Sequence, residues 1–243
     1  MQKIFGFHPI IEAIEAGKSI EKVFFKQNLH GKLFSELFSL VKKKAIPYQF
    51  VPEQWFNKYR NKNTQGVVAL ISAIEYVDFE QLIIQSFEQD KYPFFVVLDG
   101  ITDVRNLGAI ARSCVSASVD GLIVKSKNAA RINADAIKTS AGALLKLPIT
   151  RVKSLVKAIE YMKNSGITIV AATEKGASLY FSVDYKRPIA IIMGAEDKGI
   201  SQSVLNLADY KAKIPILGDI DSLNVSVAAG IFIYEVLRQR FIS

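Results

Sequence analysis

The chain has 243 residues, half of them apolar, and a formal net charge of +8. That is enough for one large domain or two modest ones with a full core; no run approaches the roughly 18–20 apolar residues of a membrane span, and the start, Met1 to Gly6, lacks the pattern of a signal peptide. The single cysteine, Cys114, excludes an internal disulfide and points to a reducing cytoplasm.

Residues 1–75 carry 11 basic and 6 acidic side chains and read as a small α/β unit. Pro9–Ala16 is expected as a short helix, with Pro9 suited to its first turn and Gly17 to its exit. Lys22–Phe25 reads as a strand. Leu33–Lys43 carries apolar residues at 33, 34, 37, 38, 40 and 41, a helical stripe. Pro47–Val51 is expected as a strand, Glu53–Tyr59 as a short helix and Val67–Ile71 as a closing strand. Residues 76–92 carry 1 basic and 4 acidic side chains and read as a linker with a polar-flanked helix over Asp78–Gln89.

Residues 93–243 carry 19 basic and 13 acidic side chains, and the pattern changes. Apolar runs recur at Phe94–Leu98, Gly121–Val124, Leu147–Thr150, Thr168–Ala171, Ile189–Met193 and Ala212–Ile216. None alternates polar with apolar, which suits strands buried on both faces of a parallel sheet. Helices are expected between and after them at Leu107–Ser118, Ala134–Ala143, Ser154–Asn164, Gln202–Leu207 and Val225–Gln239. The fold class is α/β, a doubly wound parallel-sheet domain. Two basic blocks flanking an acidic spacer favour a polyphosphate partner, though charge alone does not decide it.

Three polar loops follow apolar runs. Asp103-Val-Arg-Asn106-Leu-Gly108-Ala-Ile-Ala-Arg112 leads into a helix, with Asn106 at its mouth and Arg112 able to reach back only through its long side chain. Met193-Gly194-Ala-Glu196-Asp-Lys-Gly199-Ile-Ser201 is the second. Its two glycines resemble a phosphate loop, but Ile200 and Ser201 stand where Lys and Ser or Thr are needed. The third runs from Ile214-Pro215-Ile-Leu-Gly218 to Ser222-Leu223-Asn224-Val225-Ser226. Ser222, Asn224 and Ser226 offer more polar groups than one helix cap requires. Loops at the carboxyl ends of parallel strands are where such sheets bind ligands. No G-x-G-x-x-G follows a strand, so a standard dinucleotide site is poorly supported. His8 and His30 are the only histidines and neither neighbours Cys114, which disfavours zinc and a Ser-His-Asp set. Cys114 itself reads as a core residue, and Val227, Ile231, Tyr234 and Leu237 as core or a subunit interface.

Together the three loops resemble motifs 1, 2 and 3 of the SpoU (TrmH) family of RNA ribose 2′-O-methyltransferases, in order, over residues 103–235, ending in Tyr234-Glu235. Residues 1–75 resemble the family's small RNA-binding domain, itself similar to certain ribosomal proteins, through Phe5-Gly6-Phe7-His8-Pro9-Ile10 and Gln65-Gly66-Val67-Val68-Ala69. Thr64 stands where the family usually has His, and Val104 where it often has Pro. The resemblance implies a trefoil-knotted parallel-sheet domain at 93–243, S-adenosylmethionine as cofactor, no metal, and a homodimer. It implies Asn106, Arg112, Glu196 and Asn224 as catalytic residues, and Met193, Gly194, Ile214, Leu223, Ser222 and Ser226 around the cofactor. The substrate it implies is the ribose 2′-hydroxyl of structured RNA, with a 23S rRNA guanosine favoured over tRNA because residues 1–75 supply a full N-terminal unit. A catalytically silent RNA-binding protein is the other alternative, and the intact motif residues argue against it.

Overall fold

A computed structural model describes residues 3–130 and 132–241. It divides into two compact units. One comprises residues up to Glu75 together with Ile132–Ala134; the other comprises the remainder from Tyr76.

The first unit runs β1 (Lys3–Phe5), α1 (Phe7–Glu15), β2 (Ile20–Lys26), α2 (Lys32–Lys43), β3 (Tyr48–Val51), a 3-10 helix at Glu53–Tyr59, and β4 (Val67–Ile71). The sheet order is β1-β4-β2-β3, with only β2 and β3 parallel. Strand alternation decides its two faces. Val23, Phe25, Val67 and Ala69 pack with Ile10 and Ile14 of α1 and with Leu37 and Val41 of α2. Phe24, on the opposite face, stacks on Trp55 of the 3-10 helix, with ring centroids 4.5 Å apart. Gly6 precedes α1 at φ +86°, a conformation that favours glycine, and His8 lies exposed in the helix's first turn. Gln65 Oε1 accepts the Phe7 N–H at 3.0 Å, tying together the segments that open and close the unit.

The second unit runs α3 (Phe79–Phe87), β5 (Phe94–Asp99), α4 (Val104–Ser116), β6 (Gly121–Lys125), α5 (Ala134–Thr139, its first residue grouped with the first unit) and β7 (Ile149–Val152). It continues α6 (Leu155–Asn164), β8 (Thr168–Ala172), β9 (Ser178–Leu179), β10 (Ile189–Gly194), α7 (Gln202–Leu205), β11 (Tyr210–Lys213) and α8 (Val225–Phe241). Its strands form one sheet in the order β7-β6-β5-β10-β8-β11-β9, and every pair is parallel. Every residue of β5 is buried, as the unalternating apolar run predicts. Strand β10 lies between β5 and β8, and β11 between β8 and β9, so later strands enter between earlier ones. The central strands end in register, Gly194 opposite Asp99, which brings the loops after β5 and β10 to one edge.

Several boundaries differ from the sequence reading. The expected strand at Ala212–Ile216 lies at Tyr210–Lys213 and stops before Pro215, which has no N–H to extend a ladder. The expected helix at Ala134–Ala143 breaks after Thr139, where Ala141 and Gly142 take positive φ; a 3-10 turn at Ala143–Leu145 follows. Pro148 delays the next strand to Ile149. Residues 76–92, expected as a linker, carry the helix expected over Asp78–Gln89, here α3 with Asp78 as its N-cap, but it buries Leu82 and Ile83 in the second unit's core. Strands β1 and β9 were not expected from the sequence; β1 has three residues and β9 two. Among the described residues no helix is long and apolar enough to cross a membrane.

Leu82 tests the place of α3. Leu82→Ala is expected to destabilise the protein by about 2–5 kcal/mol, as a buried leucine does when truncated. A residue on a solvated linker would change stability by less than about 0.5 kcal/mol. The urea unfolding midpoint distinguishes the two.

Candidate active site

Helix α4 begins directly after the β5 loop. Asp103 is its N-cap and accepts the Arg105 N–H at 2.7 Å, which holds the Asp103 carboxyl below its ordinary range. Asn106 therefore falls in the first helical turn, where its side chain is buried. Arg112 lies farther along the same helix; it is exposed and makes no hydrogen bond or ion pair with the described residues. Cys114, two residues on, is fully buried, and burial pushes its thiol pKa well up, so it is a core residue rather than a nucleophile.

The turn after β10 closes on itself. Ala195 and Gly199 exchange both backbone hydrogen bonds, at 3.1 and 2.8 Å. The chain returns so closely that a Cβ on Gly194 would lie 2.2 Å from the Gly199 carbonyl carbon. Gly194 is thus a glycine because backbone occupies the space a side chain would need. The far end of the turn is held by Asp99, the buried last residue of β5. Its Oδ2 accepts the Ser201 N–H at 2.8 Å and the Ser201 Oγ–H at 2.5 Å, while Lys125 Nζ lies 3.6 Å from Oδ1.

This turn presents Glu196 to the other two loops. Glu196 Oε1 accepts from Asn106 Nδ2 at 3.0 Å and from Asn224 Nδ2 at 2.6 Å. Asn224 Nδ2 also donates to Asn106 Oδ1 at 3.1 Å. Asn224 Oδ1 faces the other way and accepts the Ser226 N–H at 2.9 Å and Oγ–H at 2.6 Å, capping α8. A single amide therefore caps a helix with its oxygen and joins a polar cluster with its nitrogen. Ser226 supports Asn224 instead of lining the neighbouring cleft.

That cleft has a volume of about 320 Å³ and opens beside the cluster. Met193, Gly194, Ile214, Ser222 and Leu223 line it, together with Phe232 of α8. The structure thus brings Asn106, Glu196 and Asn224 into one hydrogen-bonded group and five of the six expected cofactor residues into one cleft. It leaves Arg112 outside that hydrogen-bonded group. The sequence reading missed the loop after β8, where Thr173, Glu174 and Lys175 form another wall. The signal was present: polar residues directly follow a buried parallel strand. Gly176 pins this loop, since a Cβ there would lie 2.6 Å from the Lys211 carbonyl oxygen. Asp99 and Ser201 were also unassigned.

Gly194→Ala is expected to destabilise the protein by about 1–3 kcal/mol through this backbone collision. Urea denaturation checks it; an unchanged midpoint contradicts the close return of the turn.

The SpoU rRNA Methylase family matches residues 93–234, and a module described as RNA 2′-O ribose methyltransferase substrate binding matches residues 3–77. A Staphylococcus haemolyticus protein assigned to the TrmH family of tRNA/rRNA methyltransferases is 34% identical over 237 residues, covering 98% of this chain and 95% of that protein. The SpoU methyltransferase AviRb from Streptomyces viridochromogenes, solved with AdoMet, is 27% identical; the match covers 99% of this chain and 91% of AviRb, with a TM-score of 0.63. The A. aeolicus TrmH/SpoU tRNA modifying enzyme is 32% identical, covering 68% of this chain and 83% of that one, with a TM-score of 0.58. With more than half its length in the matched region and the loops of that region gathered at one sheet edge, the chain belongs to the SpoU (TrmH) family of RNA methyltransferases.

Proposed function

We propose that the protein transfers a methyl group from S-adenosylmethionine to the ribose 2′-hydroxyl of a nucleotide in structured RNA, a 23S rRNA guanosine in particular. The observation that carries this reading is the cluster of Asn106, Glu196 and Asn224 at the mouth of the cleft. It leaves one carboxylate oxygen, Glu196 Oε2, outside its own hydrogen bonds as an acceptor for a hydroxyl. The AdoMet complex of AviRb supports the choice of cofactor.

The cleft suits that cofactor. Its volume lies near the lower end of the range for small-molecule sites, about 300–1,000 Å³. Ile214, Ile216, Leu223 and Phe232 offer an apolar bed for a purine, and Thr173 and Ser222 offer hydroxyls for a ribose. Met193 and Gly194 close the floor at the end of β10. The cofactor supplies a methyl group activated on a sulfonium.

The chain's own contribution is to orient the acceptor. Orientation alone is worth about 7–11 kcal/mol when a reacting oxygen is held in line. Glu196 Oε2 takes part in none of the cluster's hydrogen bonds and can accept from a ribose hydroxyl. Asn106 and Asn224 fix the carboxylate so that it does not swing away. Arg112, exposed and without a hydrogen-bond or ion-pair partner among the described residues, holds a substrate phosphate and lowers the cost of the alkoxide that develops as the hydroxyl's proton leaves to solvent. It does not act as a free base, because a guanidinium stays protonated in proteins.

Two further features follow from the family reading. The knot is supported by the entry of β10 between β5 and β8 and of β11 between β8 and β9. The homodimer is supported by the exposed apolar side chains Val227, Tyr234 and Phe241 along α8. An rRNA substrate is supported by the substrate-binding module at residues 3–77, whereas the tRNA modifying enzyme of A. aeolicus aligns with only 68% of this chain.

Comparing 2′-O-methyl sites in total RNA from a deletion strain and its parent tests the assignment; loss of one rRNA site is expected. Asn106→Ala is expected to lower kcat by about 10²–10³, the loss typical of one preorganised polar group, while cofactor affinity changes little. Arg112→Ala is expected to reduce turnover, RNA affinity or both. Near-normal turnover with unchanged RNA affinity would remove both roles from Arg112. Steady-state kinetics with labelled cofactor and titration calorimetry read these effects.

A further inference from the structure

We propose that the first unit grips RNA through the sheet face covered by the Glu53–Tyr59 helix, with Lys3, Lys58, Arg60 and Lys62 binding backbone phosphates. The proposal rests on the reading of the protein as an RNA methyltransferase and deepens it by naming the face and its cations.

The sheet of this unit has two unlike faces. One is closed by α1 and α2, whose exposed positions mix carboxylates, Glu12, Glu15 and Glu36, with the lysines Lys32, Lys42 and Lys43. The other is closed by an aromatic layer. Trp55 stacks on Phe24, and Tyr59 packs edge-on against Phe5 with centroids 5.3 Å apart. Both Trp55 and Tyr59 remain partly exposed.

Lysines sit on this layer. Lys58 Nζ lies 3.7 Å from the Trp55 ring centroid and 5.2 Å from that of Tyr59, and Lys3 Nζ lies 5.1 Å from the Tyr59 ring. A cation over a ring is held on one side only and stays open to an anion on the other. Neither Lys3 nor Lys58 has a carboxylate partner among the described residues, and Arg60 and Lys62, which follow the helix, are exposed and equally unpaired. Between Tyr48 and Ile74 the only acidic residue is Glu53, which is engaged by Lys26 at 2.7 Å. The result is a row of cations with no neighbouring anion to neutralise it.

That chemistry fits a polyphosphate backbone. Fixing the lysines on rings beforehand reduces the side-chain entropy lost on binding. Partly exposed rings between cations also offer stacking surface to unpaired bases. The helical side offers a matched comparison: Lys42, Lys43 and Lys44 form an equally charged run at the end of α2, and Lys42 too lies over a ring, 4.3 Å from that of Phe38, but α2 also carries the exposed carboxylate Glu36.

The test compares two charge-matched triple variants of the full chain. One is Lys58→Gln with Arg60→Gln and Lys62→Gln; the other is Lys42→Gln with Lys43→Gln and Lys44→Gln. The probe is refolded total ribosomal RNA, titrated by filter binding between 50 and 200 mM salt. The first variant is expected to lose about 10- to 100-fold in affinity and to lower the salt slope by about 2–3, one contact at a time. The second is expected to lose less than about threefold. Should the first variant fold poorly, Arg60→Gln with Lys62→Gln, both outside regular structure, replaces it with a slope change of about 1–2. Equal losses in both variants, or none in the first, overturn the proposal. So does undiminished RNA binding alongside lost binding to anionic phosphatidylserine vesicles, which would assign the face to membranes. Failure of the underlying reading is seen separately, as wild-type protein that transfers no methyl group to that RNA.

Discussion

One carboxylate oxygen organises the second unit's loop edge. Glu196 Oε1 receives amides from Asn106 and Asn224, residues separated by 118 positions in the chain. Glu196 and Asn224 are exposed and can turn to water, whereas Asn106 is buried, and its amide would be left without partners at about 1–3 kcal/mol if the cluster opened. The rigid parts around the cluster hold it together. Asp99 clamps the far end of the Glu196 turn through Ser201, and Gly194 lets the turn close upon its own strand. The two parallel strands ending in register, Gly194 beside Asp99, bring those devices within reach of each other.

The proposed reading gives the two units different tasks, and their surfaces differ accordingly. The second unit holds its chemistry in a cleft at a sheet edge, where shape and short hydrogen bonds matter more than net charge. The first unit carries its excess of basic over acidic groups on a small, largely antiparallel scaffold. Long-range attraction of RNA is a property of such charge, and it falls with salt. Orientation of one hydroxyl is a property of fixed neighbours, and salt affects it little.

Most of the architecture was legible in the sequence. Buried runs such as Phe94–Leu98 and Ile189–Met193 read as strands covered on both sides, and Pro93, Pro148 and Pro188 stand just before strand starts. Asn106, Glu196 and Asn224 fall in polar segments that follow apolar runs, and the family resemblance singles them out. What escaped had a physical reason. β9 has two residues, too few for any period, and β11 was shifted because Ile214 and Ile216 look like strand but serve as cleft wall. The strand order cannot be read from local pattern, because β10 and β11 pair with strands distant in sequence. Asn224 looked like one of several redundant caps; only the fold reveals that its oxygen caps α8 while its nitrogen serves Glu196. The loop at Thr173–Lys175 carried the same signal, polar residues and then Gly176 after a buried strand, but it matches none of the three family motifs.

The central claim is that this edge aligns a ribose oxygen for direct attack on a sulfonium methyl. Incubating the purified protein with methyl-labelled S-adenosylmethionine and RNA from a deletion strain, then digesting the RNA to nucleosides, tests it most directly. The account predicts that the label resides in a single 2′-O-methylated nucleoside. Label on a nucleobase, or no label in any nucleoside, would contradict it.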